Sequence, residues 1–146
     1  MGCCTSKKHI YIEPSICAKN IINLYKKADK NILLQAIHIA QNFIDDEELK
    51  KEYYYVRKLI IVSAFLRDMP KLFNKNYVEM KNFLDKNRLP SNVYDMIYKY
   101  NNKIDTQINK YAIINIDDIA EIDKSEEYII NSLSTIRSYI YDIILI

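Results

Sequence analysis

Glycine is all but missing from this 146-residue chain, whose single glycine is Gly2. Phosphate-cradling loops, dinucleotide-binding turns and nucleophile elbows need glycine for close backbone approach or for positive φ, so none can be written beyond residue 2. Tight β-hairpins, which draw on Asn-Gly and Asp-Gly turns, are disfavoured for the same reason. Tryptophan is absent and there are only 2 histidines and 3 cysteines. Neither His9 nor His38 is placed to pair with a serine or cysteine nucleophile. The adjacent Cys3 and Cys4 do not match the two-to-four-residue spacing of structural zinc ligands, and with Cys17 they do not make the even, spaced set of a disulfide scaffold. A reducing cytoplasm is the consistent compartment. Carboxylates are numerous, but no pair stands out as buried.

An excess of charge of one sign is lacking too. The 21 basic and 19 acidic side chains leave +2, too little to argue for nucleic acid. Tyr53, Tyr54 and Tyr55 would point about 100° apart on a helix and cannot form one stacking platform for bases. The longest nearly apolar run, Leu59 to Leu66, falls far short of the roughly 20 residues that cross a bilayer. These absences lead to the expectation of a non-enzymatic protein with no catalytic, cofactor or metal site.

What is present begins at residue 2. Once Met1 is removed, Gly2 offers an unhindered amine and Ser6 the small hydroxyl four positions on, the pattern of N-myristoylation. One myristoyl chain gives only reversible binding, with K on the order of 10⁴ M⁻¹, so a second signal is needed. Cys3 and Cys4 can supply it as S-palmitoylation sites, and Lys7 and Lys8 add about 1 kcal/mol each against an anionic leaflet. The opening resembles the Met-Gly-Cys starts of dually acylated signalling proteins such as Src-type kinases and G-protein α subunits. That resemblance covers residues 1–8 alone, and it implies an anchor without implying the catalytic domains of those families. Residues 1–30 carry six lysines against Glu13 and Asp29, so positive charge gathers beside the anchor.

Residues 1–14 are expected to form a flexible acylated tether and 15–146 a single helical domain. Fully extended, the stretch from Gly2 to Ser15 reaches roughly 40 Å. Ile10, Tyr11 and Ile12 can pack on the body or dip into the interface, and the sequence does not choose. After Glu13-Pro14-Ser15, a helix start, one face carries Cys17, Ile21, Leu24, Tyr25 and Ala28, while Lys19, Lys26 and Lys30 gather opposite. Cys17 reads as a buried small hydrophobe. The stripe continues to Phe43, with a break favoured near Asp29-Lys30-Asn31. Asp45-Asp46-Glu47-Glu48 reads as the acidic start of a helix running from Leu49 through the apolar Leu59–Leu66 stretch, the centre of the core. Pro70 is expected to open a helix with Phe73, Tyr77, Met80 and Leu84 inward. Pro90-Ser91 opens another, striped by Val93, Ile97, Tyr100, Ile104, Ile108 and Tyr111. Residues 113–124 form an Ile-rich acidic connector. An EF-hand loop begun at Asn115 would put Ala120 where glycine is required, so calcium is not expected. From Ser125 a last helix keeps a heptad-like seam of Ile129, Leu133, Ile136, Ile140 and Ile143, packed inside the domain or serving a homodimer.

The fold expected is all-α, a bundle or short superhelix of about five to seven helices. The function expected is an adaptor or scaffold on the cytoplasmic face of the plasma membrane or of an internal membrane cisterna, recruiting a protein partner. The alternative is a small lipid-binding or lipid-modifying helical domain. A continuous pocket above about 300 Å³ among the helices favours the alternative, and a packed core with an apolar surface groove favours the adaptor.

Overall fold

Residues 12–102 and 124–145 are described by the computed structural model; within them the chain is an all-α bundle of seven helices. Helix α1, Pro14–Lys26, starts on its proline, where the missing N–H is harmless. Glu13 occupies the cap position without a side-chain cap bond. Cys17, Ala18, Ile21, Ile22 and Tyr25 are its buried face. The expected break follows: Asp29 accepts a 2.7 Å bond from the Asn31 N–H and caps α2, Lys30–Ile44.

The acidic run does not open the central helix directly. Asp46 Oδ1 accepts from the N–H groups of Glu48 and Leu49, and a short 3₁₀ turn, Leu49–Lys51, follows. That turn drives Leu49 fully into an apolar cluster with Ile39, Phe43, Ile60, Ile61 and Ala64. Glu52 and Tyr53 are then extended, so α3 runs only over Tyr54–Phe65. The helix expected from Leu49 is thus corrected. Burying Leu49, worth about 1.5–3 kcal/mol, outweighs one more turn of exposed helix. Lys58 through Phe65 are all buried, which makes α3 the axis of the bundle.

Pro70 lies in α4, Met69–Leu72, a single turn. The helix expected to continue through Leu84 breaks because Asn74 and Lys75 take φ of 52° and 62°. With no glycine available, an asparagine and a lysine fill left-handed positions, and Arg88 does the same at φ 64°. Asn76 caps α5, Tyr77–Lys86, through a 3.1 Å bond from the Glu79 N–H. Helix α6 is Ser91–Asn101, and the continuation of its stripe at Ile104, Ile108 and Tyr111 lies outside the described residues, as do residues 113–123. Helix α7 is Glu126–Leu145.

Helix α3 packs on α2, α6 and α7, and α7 packs also along α1 and α2. The inner face of α7 is Leu133, Ile136, Ile140, Ile143 and Ile144, with Ile129 half-buried. The C-terminal seam is therefore a wall of the core. Tyr25 and Phe65 meet at its centre with ring centroids 4.6 Å apart.

The junction with the N-terminal segment is fixed at Ile12. Its side chain packs on the core, and its carbonyl accepts from Arg88 Nη1 at 3.3 Å and Cys17 Sγ at 3.6 Å. Ile12 thus belongs to the body.

Candidate functional site

Helices α1 and α7 lie side by side and antiparallel: Ser15–Lys19 flanks Ser134–Tyr141, and Ile22–Ala28 flanks Glu126–Leu133. Their outer edges diverge above the buried seam and leave an open trough. Its larger part, about 910 Å³, has a floor of Ile22, Leu33, Ile129 and Leu133. A second hollow of about 580 Å³ continues it toward Ser15 and Tyr141, and the two share Ser134 and Arg137.

The rim is charged. Lys26, Lys30, Lys124 and Arg137 line the larger hollow with Glu126 the one carboxylate among them, and Lys19 lines the smaller. All five cations are exposed, and among the described residues none is in an ion pair. Two large aliphatic side chains stand beside them in water, Ile130 at 62% and Ile16 at 47% exposure. A stable fold does not need this combination. The lysines of α1 are visible in the sequence as its polar face, but their meeting with Lys124 and Arg137 depends on the pairing of α1 with α7. No local pattern reports it.

The buried polar groups form ties between helices. Lys58, its side chain 2% exposed, donates to Asp142 Oδ2 on α7 and lies 3.7 Å from the Tyr54 ring centroid. Burial, the largest influence, pulls its ammonium down, yet the bonds and charges of Asp142 and Tyr54 together hold it above the ordinary value. Arg67 grips the carboxylate of Asp68 with Nε at 3.2 Å and Nη2 at 2.9 Å, and reaches the Tyr100 hydroxyl at 3.3 Å. Asp68 is 7% exposed, a single buried carboxylate neutralised by its neighbour and not half of a carboxylate pair. Its signal was the Arg67-Asp68 dipeptide closing an apolar helix. Among the described residues the Tyr25 hydroxyl has no hydrogen-bond partner, and burial first, then Asp68, raises it well above the usual phenol range. Burial pushes the Cys17 thiol up against the pull of Arg88. His38 meets the Tyr128 ring in a tilted contact, 5.4 Å between centroids. None of these clusters joins a nucleophile to a base, and among the described residues no group of three metal-ligating side chains comes together.

The anchor residues Gly2, Cys3, Cys4, Lys7 and Lys8 lie outside the described residues. Among those described, no helix is long and apolar enough to cross a membrane. No protein-family model matches the chain, and neither a curated protein nor a solved structure is found to be similar to it.

Proposed function

We propose that the chain is a non-catalytic, membrane-tethered adaptor. Acylation at Gly2, Cys3 and Cys4, helped by Lys7 and Lys8, holds it on the cytoplasmic face of a membrane, and the helical body recruits a protein. The observation that carries this reading is the trough: the core beneath it is closed, with Ile21, Ile136 and Ile140 at 0% exposure, while the concavity is open to solvent and apolar at its floor. A surface groove of that kind suits a macromolecular segment better than an enclosed small molecule.

The clamp at Ile12 bears on how the body is presented. No more than the residues before it can serve as free tether, about 35 Å at full extension instead of the roughly 40 Å expected from Gly2 to Ser15. One feature keeps the lipid-binding alternative in view. The trough exceeds 300 Å³, and its cations could meet a phosphate headgroup while the floor takes an acyl chain.

The test is Gly2→Ala in the native cell, read by fractionation and by proximity labelling from the body. The variant should move to the cytosol and lose membrane-associated neighbours. Unchanged membrane pelleting sinks the tether reading.

A further inference from the structure

We propose that the α1–α7 trough is the seat of an acidic amphipathic helix belonging to a partner protein. This rests on the adaptor reading and gives the chemistry of what the adaptor recruits. Shape comes first. Two antiparallel helices leave a straight furrow, and the stretch of α1 from Ser15 to Lys26 makes it about 17 Å long, the length of three helical turns. A helix with apolar residues at i, i+3, i+4, i+7, i+8 and i+11 presents a ridge of that length. Ile22, Leu33 and Leu133 receive the ridge from below, and the exposed Ile16 and Ile130 close on its flanks.

Charge then selects the partner. Among the described residues, five cations without an ion pair face one carboxylate along the furrow, so a ligand helix gains by carrying Glu or Asp beside its apolar stripe. A flat bilayer meets a concave furrow poorly, because its headgroups touch the rim while the floor stays uncovered. A second copy docked about a two-fold axis would set lysines against lysines.

The experiment uses the full chain carrying Gly2→Ala, hence unacylated, and two labelled peptides of about 20 residues, the length at which a helix persists in water. Both carry the same leucine stripe, flanked by Glu in one and by Lys in the other. Fluorescence anisotropy should give the Glu peptide at least about tenfold tighter binding, weakening with salt. Lys26→Glu with Arg137→Glu, two exposed positions, leaves three cations facing three carboxylates and should abolish the preference, with circular dichroism confirming an intact fold. Equal affinities before these substitutions, no binding of either peptide up to about 1 mM, or indifference to this charge reversal overturns the proposal.

Two further arms identify other occupants. Pelleting of the same chain on phosphatidylserine-containing vesicles, lost on the same reversal, assigns the trough to lipid headgroups and overturns it. Tighter Glu-peptide binding after neutralising Asp117, Asp118, Glu121 and Asp123 assigns the trough to the chain's own connector and overturns it too. The peptide arms involve no membrane, so failure of the anchor in cells and failure of this proposal are separate results.

Discussion

Removing the partner of Lys58 should damage the protein more than removing Lys58 itself. The ammonium is buried between Tyr54, Tyr139 and Asp142, whereas Asp142 keeps 35% of its side chain in water. Asp142→Asn leaves a desolvated charge with Tyr54, the Tyr139 ring and a neutral amide oxygen for company, and no counter-charge. Breaking a fully buried pair in this way costs about 3–5 kcal/mol; with one partner near the surface and Tyr54 retained, about 1.5–3 kcal/mol is expected. Lys58→Met keeps the aliphatic stem, removes the desolvation penalty and returns Asp142 to solvent, so its cost should be about 0–1 kcal/mol. The double variant should resemble Lys58→Met alone. Thermal melts at pH 7 should place Asp142→Asn about 5–10 °C below wild type and the other two within about 4 °C.

The pH dependence has a defined sign. The Lys58 ammonium titrates above the ordinary 10.5 in the folded protein, so its contribution is complete below 10.5 and is lost as pH rises through the folded value. The gap between wild type and Lys58→Met should therefore shift toward Lys58→Met only at strongly alkaline pH. Lys58→Met losing as much as Asp142→Asn would refute the reasoning and make the ion pair a net source of stability.

Ile140, at 0% exposure, should cost about 2–5 kcal/mol on truncation to alanine, with a melting temperature lowered equally at every protein concentration; Ile140→Asp should unfold the chain, and a folded monomer released from a dimer would contradict the internal packing of α7. Deleting residues 1–11 should leave a cooperatively melting domain, whereas deletion through Pro14 removes the Ile12 clamp and the helix start and should lower the melt measurably in differential scanning calorimetry. In a Cys3→Ser, Cys4→Ser background, Cys17 should react with a disulfide reagent only as fast as the fold opens, and rapid native labelling at pH 8 would show that the site is not sealed.

The all-α class was legible because the amphipathic stripes of α1, α2 and α7 survive into the fold almost residue for residue, and a glycine-poor chain left few rivals. The break before α2 was legible as well, since Asp29 is a helix cap by composition. Two boundaries were not. Nothing local says that Leu49 is worth more in the second apolar cluster than on a longer helix, or that Asn74 and Lys75 will accept left-handed backbone in place of glycine. Both outcomes are set by neighbours distant in sequence. Lys58 was hidden for a related reason: one basic residue beside an apolar stretch reads as solvated until α7 supplies Asp142. The trough was half legible, as the lysine face of α1.

The packing of α1 against α7 also sets the order in which the protein can be finished during its synthesis. Helix α1 takes much of its cover from α7, so the face bearing Ile21 and Tyr25 stays incompletely covered while the intervening chain is translated, on the order of 10 s at usual elongation rates. Throughout that interval the N-terminal segment is joined to an unfinished body. A nascent chain arrested before Glu126 should remain a client of chaperones, and only complete synthesis should release a closed domain.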